Sequence, residues 1–156
     1  IMKLTVNGKT ILIDSEDYER IKDYSMWVHN TKKYVFLDKI VNGKRTRHRL
    51  HRYIMGAKDS KIFIDHINGE KLDNRKSNLR FCNNSQNLAN RGKTKLNTSG
   101  YKGVSKTYST SPKQWRARIQ HKHIGRFYTK EEAALAYNKA AIKIYGEYAK
   151  LNEVKK

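Results

Sequence analysis

The chain has 156 residues, and its 34 Lys and Arg outnumber its 14 Asp and Glu, which gives a net charge of +20 and an isoelectric point of about 10.1. This excess indicates a polyanionic partner, nucleic acid rather than an acidic membrane surface, because the sequence has no long apolar run or basic amphipathic helix. The single cysteine, Cys82, excludes an intrachain disulfide and favours a reducing, cytoplasmic setting.

Two β-hairpins and one helix are predicted in the first fifty residues. Residues 3–13 and residues 34–49 each place an Asn-Gly dipeptide between two β-rich runs, which is typical of a type I′ turn. Between the hairpins, Asp14 or Ser15 is the predicted cap of a helix. Its apolar residues recur at near-helical spacing: Tyr18, Ile21, Tyr24 and Trp27.

Residues 62–91 are predicted to form a strand, a loop, a second strand and a helix. The first strand, residues 62–64, ends on the adjacent polar residues Asp65 and His66. A polar, turn-rich loop follows, and the second strand covers residues 79–82.

This unit would bring hard oxygen ligands close to a histidine. Asn84 or Ser85 is the predicted cap of the helix, and Asn87 follows on it. The carboxylate of Asp65 and the amide oxygen of Asn87 suit Mg²⁺ or Mn²⁺. His66, with a reference pKa of about 6.5, can accept a proton from water at neutral pH.

The same segment resembles the HNH, or ββα-metal, nuclease motif in the form found in phage and intron-encoded homing endonucleases. The resemblance implies that Asp65 and Asn87 hold one Mg²⁺ or Mn²⁺ ion. It also implies that His66 is the general base and that Asn78 pins the loop between the strands. With one motif per chain, nicking of one DNA strand per active site is expected. The matching blocks are Asp65-His66-x-Asn68-Gly69, Asp73-Asn74-Arg75, Asn78-Leu79-Arg80 and Asn87.

Residues 47–56 resemble the segment that precedes this motif in the family, where it is usually a helix packed against the catalytic unit. The expected buried side of that helix is Leu50, Tyr53 and Ile54. Basic residues here and in the motif are candidate phosphate contacts, with a solvated basic face as the alternative: Arg47, Arg49, His51, Arg52 and Arg75.

A basic linker is predicted over residues 92–100, which have almost no apolar content. It separates an expected nuclease domain, residues 1–91, from a second domain, residues 101–153. The candidate contacts with the DNA backbone in and next to the linker are Arg91, Lys93 and Lys95.

The second domain is predicted to be a three-stranded antiparallel sheet with one helix on its back. Val104 and Tyr108 belong to the first strand, and residues 115–120 alternate between apolar and polar side chains. A turn at Lys122-His123 leads to the third strand, residues 124–128.

A capping box of Thr129 and Glu132 opens the predicted helix, and Gly146 is its expected end. Its apolar stripe comprises Ala133, Ala134, Tyr137, Ala141, Ile144 and Tyr145.

Residues 99–152 resemble the AP2 DNA-binding domain, known from plant transcription factors and found fused behind HNH nucleases in phages. The matching blocks are Gly100-Tyr101-Lys102-Gly103-Val104, Trp115-Arg116-Ala117-Arg118-Ile119, Gly125-Arg126-Phe127, Glu131-Glu132-Ala133-Ala134, Ala136-Tyr137 and Ala140-Ala141. The resemblance implies that the open sheet face lies in the major groove of DNA. Ser105 and His123 replace the arginine and tryptophan usual in plant members, so the plant target sequence is not expected. Carried over by position, the expected contacts are Lys102, Ser105, Arg116, Arg118, Gln120, His121 and His123.

The predicted fold class is α+β: a hairpin and helix region with the HNH unit, a basic linker, and an AP2-like sheet with one helix. The predicted activity is a homing-type endonuclease acting on double-stranded DNA, with a monomer favoured. The main alternative is a non-catalytic DNA-binding regulator with a degenerate HNH scaffold. An RNA-binding role comes third, because no aromatic stacking motif of the RRM type is present.

Overall fold

The computed structural model describes residues 1–154. Within that range the chain forms ten strands in four small antiparallel sheets together with four α-helices, the mixed α and β architecture that was expected. The chain divides into two compact units, with the boundary between Asn87 and Leu88. No helix in the described range is long and apolar enough to span a bilayer.

The first predicted hairpin is confirmed. It consists of strands β1 (Met2–Val6) and β2 (Lys9–Ile13). Asn7 and Gly8 at its turn have φ values of 50° and 70°. Two successive residues with positive φ are what a type I′ turn requires.

The helix that follows is shorter than its apolar spacing suggested. Helix α1 spans Ser15–Ile21, and strand β3 (Ser25–Val28) comes soon after it. The prediction that Tyr24 and Trp27 lie on the helix was therefore wrong. The ring of Trp27 stacks on Phe36 of the neighbouring strand, with 4.6 Å between ring centroids. Over so short a stretch the spacing of the aromatic residues fits a helix or a strand. Pairing with the next strand favours the strand.

The second predicted hairpin is also confirmed. It joins β4 (Val35–Val41) to β5 (Lys44–Arg49), and Asn42 and Gly43 at its turn have φ values of 51° and 72°. Strand β3 pairs with β4, so the three strands form one sheet in the order β3-β4-β5.

The predicted helix over residues 47–56 is corrected at both ends. Arg47 and Arg49 belong to β5, because the hairpin pairing continues up to the pair Phe36 and Arg49. Helix α2 is limited to Leu50–Ile54.

The predicted order of strand, loop, strand and helix is confirmed in the next segment. Strands β6 (Phe63–His66) and β7 (Leu79–Cys82) are antiparallel, and helix α3 (Asn84–Ala89) follows. Asp65 and His66 lie within β6 and not beyond its end.

The cap of α3 is Asn83, one residue before the predicted cap. The Asn83 side-chain oxygen accepts a hydrogen bond from the Gln86 backbone amide at 2.9 Å, and the Gln86 side-chain oxygen accepts one from the Asn83 amide at 2.8 Å. This reciprocal pair is a capping box in which Asn and Gln take the usual places of Ser or Thr and Glu.

The apolar core of the first unit determines which way the β6 side chains point. Ile64 packs in this core with Ile11, Leu37 and Leu50. Because side chains alternate along a strand, His66 shares the core-directed face of Ile64. Phe63 and Asp65, by the same alternation, lie on the opposite face of β6.

The second unit contains the predicted three strands and helix. Strands β8 (Val104–Lys106), β9 (Trp115–Ile119) and β10 (Lys122–Phe127) form a sheet in the order β8-β9-β10. Helix α4 (Lys130–Tyr145) packs against it through small side chains, Ala133 and Ala134, which meet Val104 and Ala117 of the sheet.

Both ends of α4 are as predicted. The Thr129 hydroxyl accepts a hydrogen bond from the Glu132 amide at 3.1 Å, which completes the capping box, and Gly146 ends the helix with a φ of 55°. Ile144 is not part of the buried stripe, because 45% of its surface is exposed.

Two details of the predicted sheet were wrong. Gln120 and His121, with φ values of 47° and 64°, form the turn that was placed at Lys122-His123, so β10 begins earlier than expected. Tyr108 lies outside β8 and is 99% exposed.

Candidate active site and nucleic-acid contacts

The paired strands β6 and β7 bring Asp65 opposite Arg80. The guanidinium of Arg80 donates from Nε and Nη2 to Oδ2 of Asp65, at 3.2 and 3.0 Å. Asp65 is 7% exposed, so its charge is held in a largely desolvated setting. A buried carboxylate needs such a partner, because an uncompensated charge would be costly there.

His66 occupies a buried pocket on the other face of β6. Its Nε2 lies 3.4 Å from the side-chain oxygen of Asn74, a long hydrogen bond, and the residue is 5% exposed. Burial lowers the pKa of His66 below its usual value, while the Asn74 contact and the nearby Asp65 oppose that shift. The imidazole is therefore neutral at pH 7 and able to accept a proton.

Two further rings surround His66. Tyr34 was given no role by the sequence, and His51 was expected to contact phosphates, which its burial at 4% exposure contradicts. The His51 ring lies edge-on to His66 at 5.1 Å between centroids, and the Tyr34 ring lies 5.1 Å from His51 and 6.3 Å from His66. The first turn of α2 therefore lines the pocket.

His51 is held neutral inside this cluster. Burial, reinforced by repulsion from His66 and from Arg49, lowers its pKa to about 3. Its Nδ1 is buried and has no hydrogen-bond partner within the described residues.

The loop between β6 and β7 is organised by Asn78. Its side-chain oxygen accepts a hydrogen bond from the Asn68 amide at 3.0 Å, and its amide group donates to the Asp73 carbonyl at 2.8 Å. The Ile67 amide also donates to the Asn78 carbonyl at 2.9 Å. The two ends of the loop are thus tied to one residue.

The first hairpin supports the same loop from outside. Leu12 of β2 donates its amide to the Leu72 carbonyl at 2.9 Å and accepts from the Asn74 amide at 2.8 Å. Because Asn74 contacts His66, these two bonds connect β2 to the histidine pocket.

Arg75, a predicted DNA contact, is occupied by the loop itself. It forms a two-point ion pair with Asp73, at 2.7 Å from Nε and 2.6 Å from Nη2, and this pair lowers the pKa of Asp73. A role for Arg75 at DNA stays a prediction.

Asn87 lies on α3, half-buried, with its backbone amide bonded to the Asn83 carbonyl at 3.0 Å. The strand β7 that precedes this helix carries Arg80, the partner of Asp65. The pairing of Asp65 with Asn87 around a cation stays a prediction.

The available donors fit a cation that keeps much of its water. Asp65 offers a carboxylate and Asn87 an amide oxygen, and the described residues contain no group of three or more His, Cys, Asp or Glu placed to hold a metal. Mg²⁺ is bound in this way, by one or two protein oxygens with water and phosphate completing its shell. A closed zinc site would need four protein ligands.

The arginines before the motif have structural partners. Arg47 donates to Asp38 at 2.8 and 3.1 Å. Arg52 donates to the carbonyls of Ala57 and Asp59 at 3.2 and 2.7 Å, and also to that of Ile62. Arg49 is exposed, with its guanidinium 5.7 Å from the Tyr34 ring centroid.

Four of the predicted DNA contacts in the second unit share one sheet face, opposite α4. The strand register sets Ser105 and Arg116 side by side and pairs Arg118 with His123. Sequence reasoning missed Arg126, which the register places directly across from Arg116 on the same face. A β-bulge between His123 and Gly125 brings Arg126 to this face, and no feature of the sequence alone predicts the bulge.

The remaining predicted contacts lie elsewhere in the second unit. Lys102 is half-buried, its ammonium is bonded to the Ala89 carbonyl, and burial lowers its pKa to about 8. Gln120 and His121 lie at the turn. The linker cations Arg91, Lys93 and Lys95 are exposed, and Lys93 donates to the Gly100 carbonyl at 3.1 Å.

Comparison with known proteins bears on the nuclease half. Residues 48–89 match the family model described as "HNH endonuclease". The chain is also 36% identical over 113 residues to a protein of Acanthamoeba polyphaga mimivirus named "Uncharacterized HNH endonuclease L560", an alignment that covers 68% of this chain and 58% of that relative. No solved structure matches. The chain therefore contains an HNH endonuclease domain, which includes the β6-β7 hairpin and most of the residues of its candidate site.

Proposed function

We propose that this protein is a metal-dependent DNA endonuclease of the homing type, which hydrolyses a phosphodiester bond with His66 as its general base. The observation that carries the proposal is the buried His66, which follows Asp65 directly on β6, inside the segment that matches the HNH family.

Asn74 supports His66 in this proposal, with its side-chain oxygen 3.4 Å from Nε2 of the imidazole. His66 is the group that takes the proton from the attacking water. A positioned general base of this kind contributes about 10²–10⁴-fold to a rate.

Asp65 and Asn87 are the residues proposed to hold a divalent cation, Mg²⁺ or Mn²⁺. The bound cation supplies Lewis-acid stabilisation of the charge on the scissile phosphate and on the leaving 3′ oxygen. Arg80 orients the Asp65 carboxylate and shares its charge.

The second unit is proposed to read the target as an AP2-like domain. Its sheet face opposite α4 presents Arg116 and Arg118, and a bidentate arginine contact with guanine is worth about 1–3 kcal/mol of discrimination. With one HNH motif per chain, one strand is cut per active site, so the default product is a nick.

A supercoiled-plasmid assay tests the activity. The plasmid carries DNA from around the gene, and wild type and His66→Ala are compared at low salt in Mg²⁺, Mn²⁺ or EDTA. We expect metal-dependent nicking by the wild type, reduced by about 10²–10⁴-fold in His66→Ala, with duplex binding retained by the variant.

The alternative is a DNA-binding regulator whose HNH half is only a scaffold. Binding of a mapped site without cleavage in any metal would support that alternative. Undiminished cleavage by His66→Ala would remove this residue from the mechanism.

A further inference from the structure

A basic groove with aromatic walls opens on the first unit, outside the histidine pocket. Its volume is about 890 Å³. It is lined by five cations and four rings, and no carboxylate residue is among its lining residues. We call it the arginine groove; its cations and rings are Arg20, Arg47, Arg49, Arg52, Lys58, Phe36, His48, Tyr53 and Phe63.

One wall of the arginine groove is preorganised. Arg47 is fixed by its two hydrogen bonds to Asp38, and its guanidinium lies 4.8 Å from the Trp27 ring centroid and 5.9 Å from that of Phe36. The Trp27 and Phe36 rings are nearly parallel, at 11°. A ligand that stacks here would lose little binding free energy to the ordering of these side chains, because they are already fixed.

The groove also carries positive charge that no carboxylate balances. Arg20 and Arg47 pair with aspartates. Arg49, Arg52 and Lys58 have no carboxylate partner within the described residues, and Arg52 is bonded to backbone carbonyls. Of these three, Arg49 and Lys58 are exposed at the groove. Such cations attract phosphates.

The arginine groove reaches the strand that carries the candidate metal ligand. Phe63 lines the groove and lies two residues before Asp65 on β6. Side chains two apart on a strand share a face. A nucleic-acid strand lying in the groove therefore leads toward the face of Asp65.

We propose that the arginine groove binds an unpaired stretch of DNA strand next to the scissile phosphate. Phosphates would lie against Arg49 and Lys58, and bases would stack on the rings. The faces of paired bases are buried within the duplex stack, so the exposed ring of His48 and the half-buried rings beside it favour a strand whose bases are unstacked. This inference rests on the proposed nuclease and names the form of substrate that it holds: a target locally opened at the cut.

Equilibrium binding without cleavage tests the groove. Full-length protein carrying His66→Ala is titrated in EDTA, by fluorescence anisotropy, against a labelled eight-nucleotide oligo-dT and against a blunt duplex. The groove variant is Arg49→Ala with Lys58→Ala. The matched control is Lys3→Ala with Lys44→Ala, which removes the same charge at two exposed positions outside the groove.

We expect the groove variant to weaken oligo-dT binding by tenfold or more relative to the control pair, with a smaller loss on the duplex. The slope of log K against log salt concentration should also become shallower, by about 0.7 for each phosphate of the single strand that the variant no longer neutralises. A separate variant, His48→Ala, should weaken oligo-dT binding by about fivefold or more through weaker stacking, with the slope unchanged.

Equal losses in the groove and control pairs, or equal losses of groove-variant binding on single strand and duplex, would overturn the inference. The proposed nuclease fails separately. Groove-dependent binding of oligo-dT without plasmid cleavage would refute the nuclease and keep the groove. Normal cleavage together with oligo-dT binding that does not depend on the groove would support the nuclease and refute the groove.

Discussion

At the scale of single residues, the candidate site depends on neighbours distant in sequence. His66 is buried because it shares a strand face with core residue Ile64, and His51 reaches it from α2 at 5.1 Å. The residue types at Asp65, His66 and Asn87 predicted the chemistry that is proposed for this site. The neutral state of the histidines follows from burial, which only the packed structure provides.

Replacing His51 tests its buried, neutral state. A histidine whose pKa is about 3 when folded and about 6.5 when unfolded leaves stability unchanged above pH 6.5, where both states are neutral. As the pH falls from 6.5 toward 3 it destabilises the fold, because only the unfolded state takes up the proton. The loss is about 1.4 kcal/mol per pH unit for one proton. We expect His51→Phe, which keeps the ring and removes the unpaired Nδ1, to lose roughly 2 kcal/mol less stability than wild type between pH 7.5 and pH 5.

The measurement is urea unfolding at both pH values, followed by Trp27 fluorescence in a Trp115→Phe background. His48→Phe, the same exchange at an exposed histidine of the same unit, is the control. Stability that falls as steeply in His51→Phe as in wild type would contradict a neutral, buried His51.

At the scale of elements, local signals succeeded where the chemistry of a turn or cap is specific. Both Asn-Gly hairpins formed, as did the Thr129 capping box, because few other residues satisfy those geometries. The failures were short stretches whose period is ambiguous. Trp27 joined a strand because a sheet edge was available to pair with, and the β6 strand extended to His66 for the same reason.

Gly103 illustrates an element contact that no local pattern reveals. It has a φ of 74°, and an added Cβ would lie 2.2 Å from the Tyr137 ring and 2.7 Å from the Arg118 carbonyl. Gly100 also has a positive φ, of 85°, but an added Cβ there meets nothing within 4 Å. A substitution at Gly100 therefore tests backbone strain alone, and a substitution at Gly103 tests backbone strain together with the close packing of α4 on the sheet.

We expect Gly100→Ala to cost about 1–2 kcal/mol from backbone strain alone. Gly103→Ala should cost that and about 1–3 kcal/mol more for overpacking against α4. Urea unfolding of the second unit, followed by Trp115 fluorescence in a Trp27→Phe background, measures both. Equal losses for the two variants would show that both the ring of Tyr137 and the backbone at Arg118 give way without cost, which would contradict close packing at Gly103.

At the scale of the whole molecule, the charge of +20 has consequences that no single contact explains. Cationic side chains occur in the arginine groove, on residues 91–95 and on the sheet face of the second unit. Binding dominated by phosphates releases counterions, so the affinity must fall steeply with salt.

Duplex binding should therefore show a linear fall of log K with log salt concentration, about 0.9 per neutralised phosphate. Arg116→Ala with Arg126→Ala should reduce the slope by about 0.9 for each phosphate that the variant no longer neutralises. Lys139→Ala with Lys143→Ala, exposed on α4, is the matched control. A flat titration of the wild type would contradict a phosphate-dominated interface, and an equal change in the control would remove the Arg116 and Arg126 pair from it.

The sequence by itself determined the hairpins, the capped C-terminal helix and the HNH segment, and it predicted a nucleic-acid partner. Each of these depends on residue type at short range or on total charge. Both properties can be recognised without knowledge of the fold. Only the tertiary structure placed His51, Tyr34 and Asn74 around His66, put Arg80 on Asp65, and brought Arg126 beside Arg116. These neighbours come from strand register and core packing between segments far apart in the chain, which local patterns do not encode.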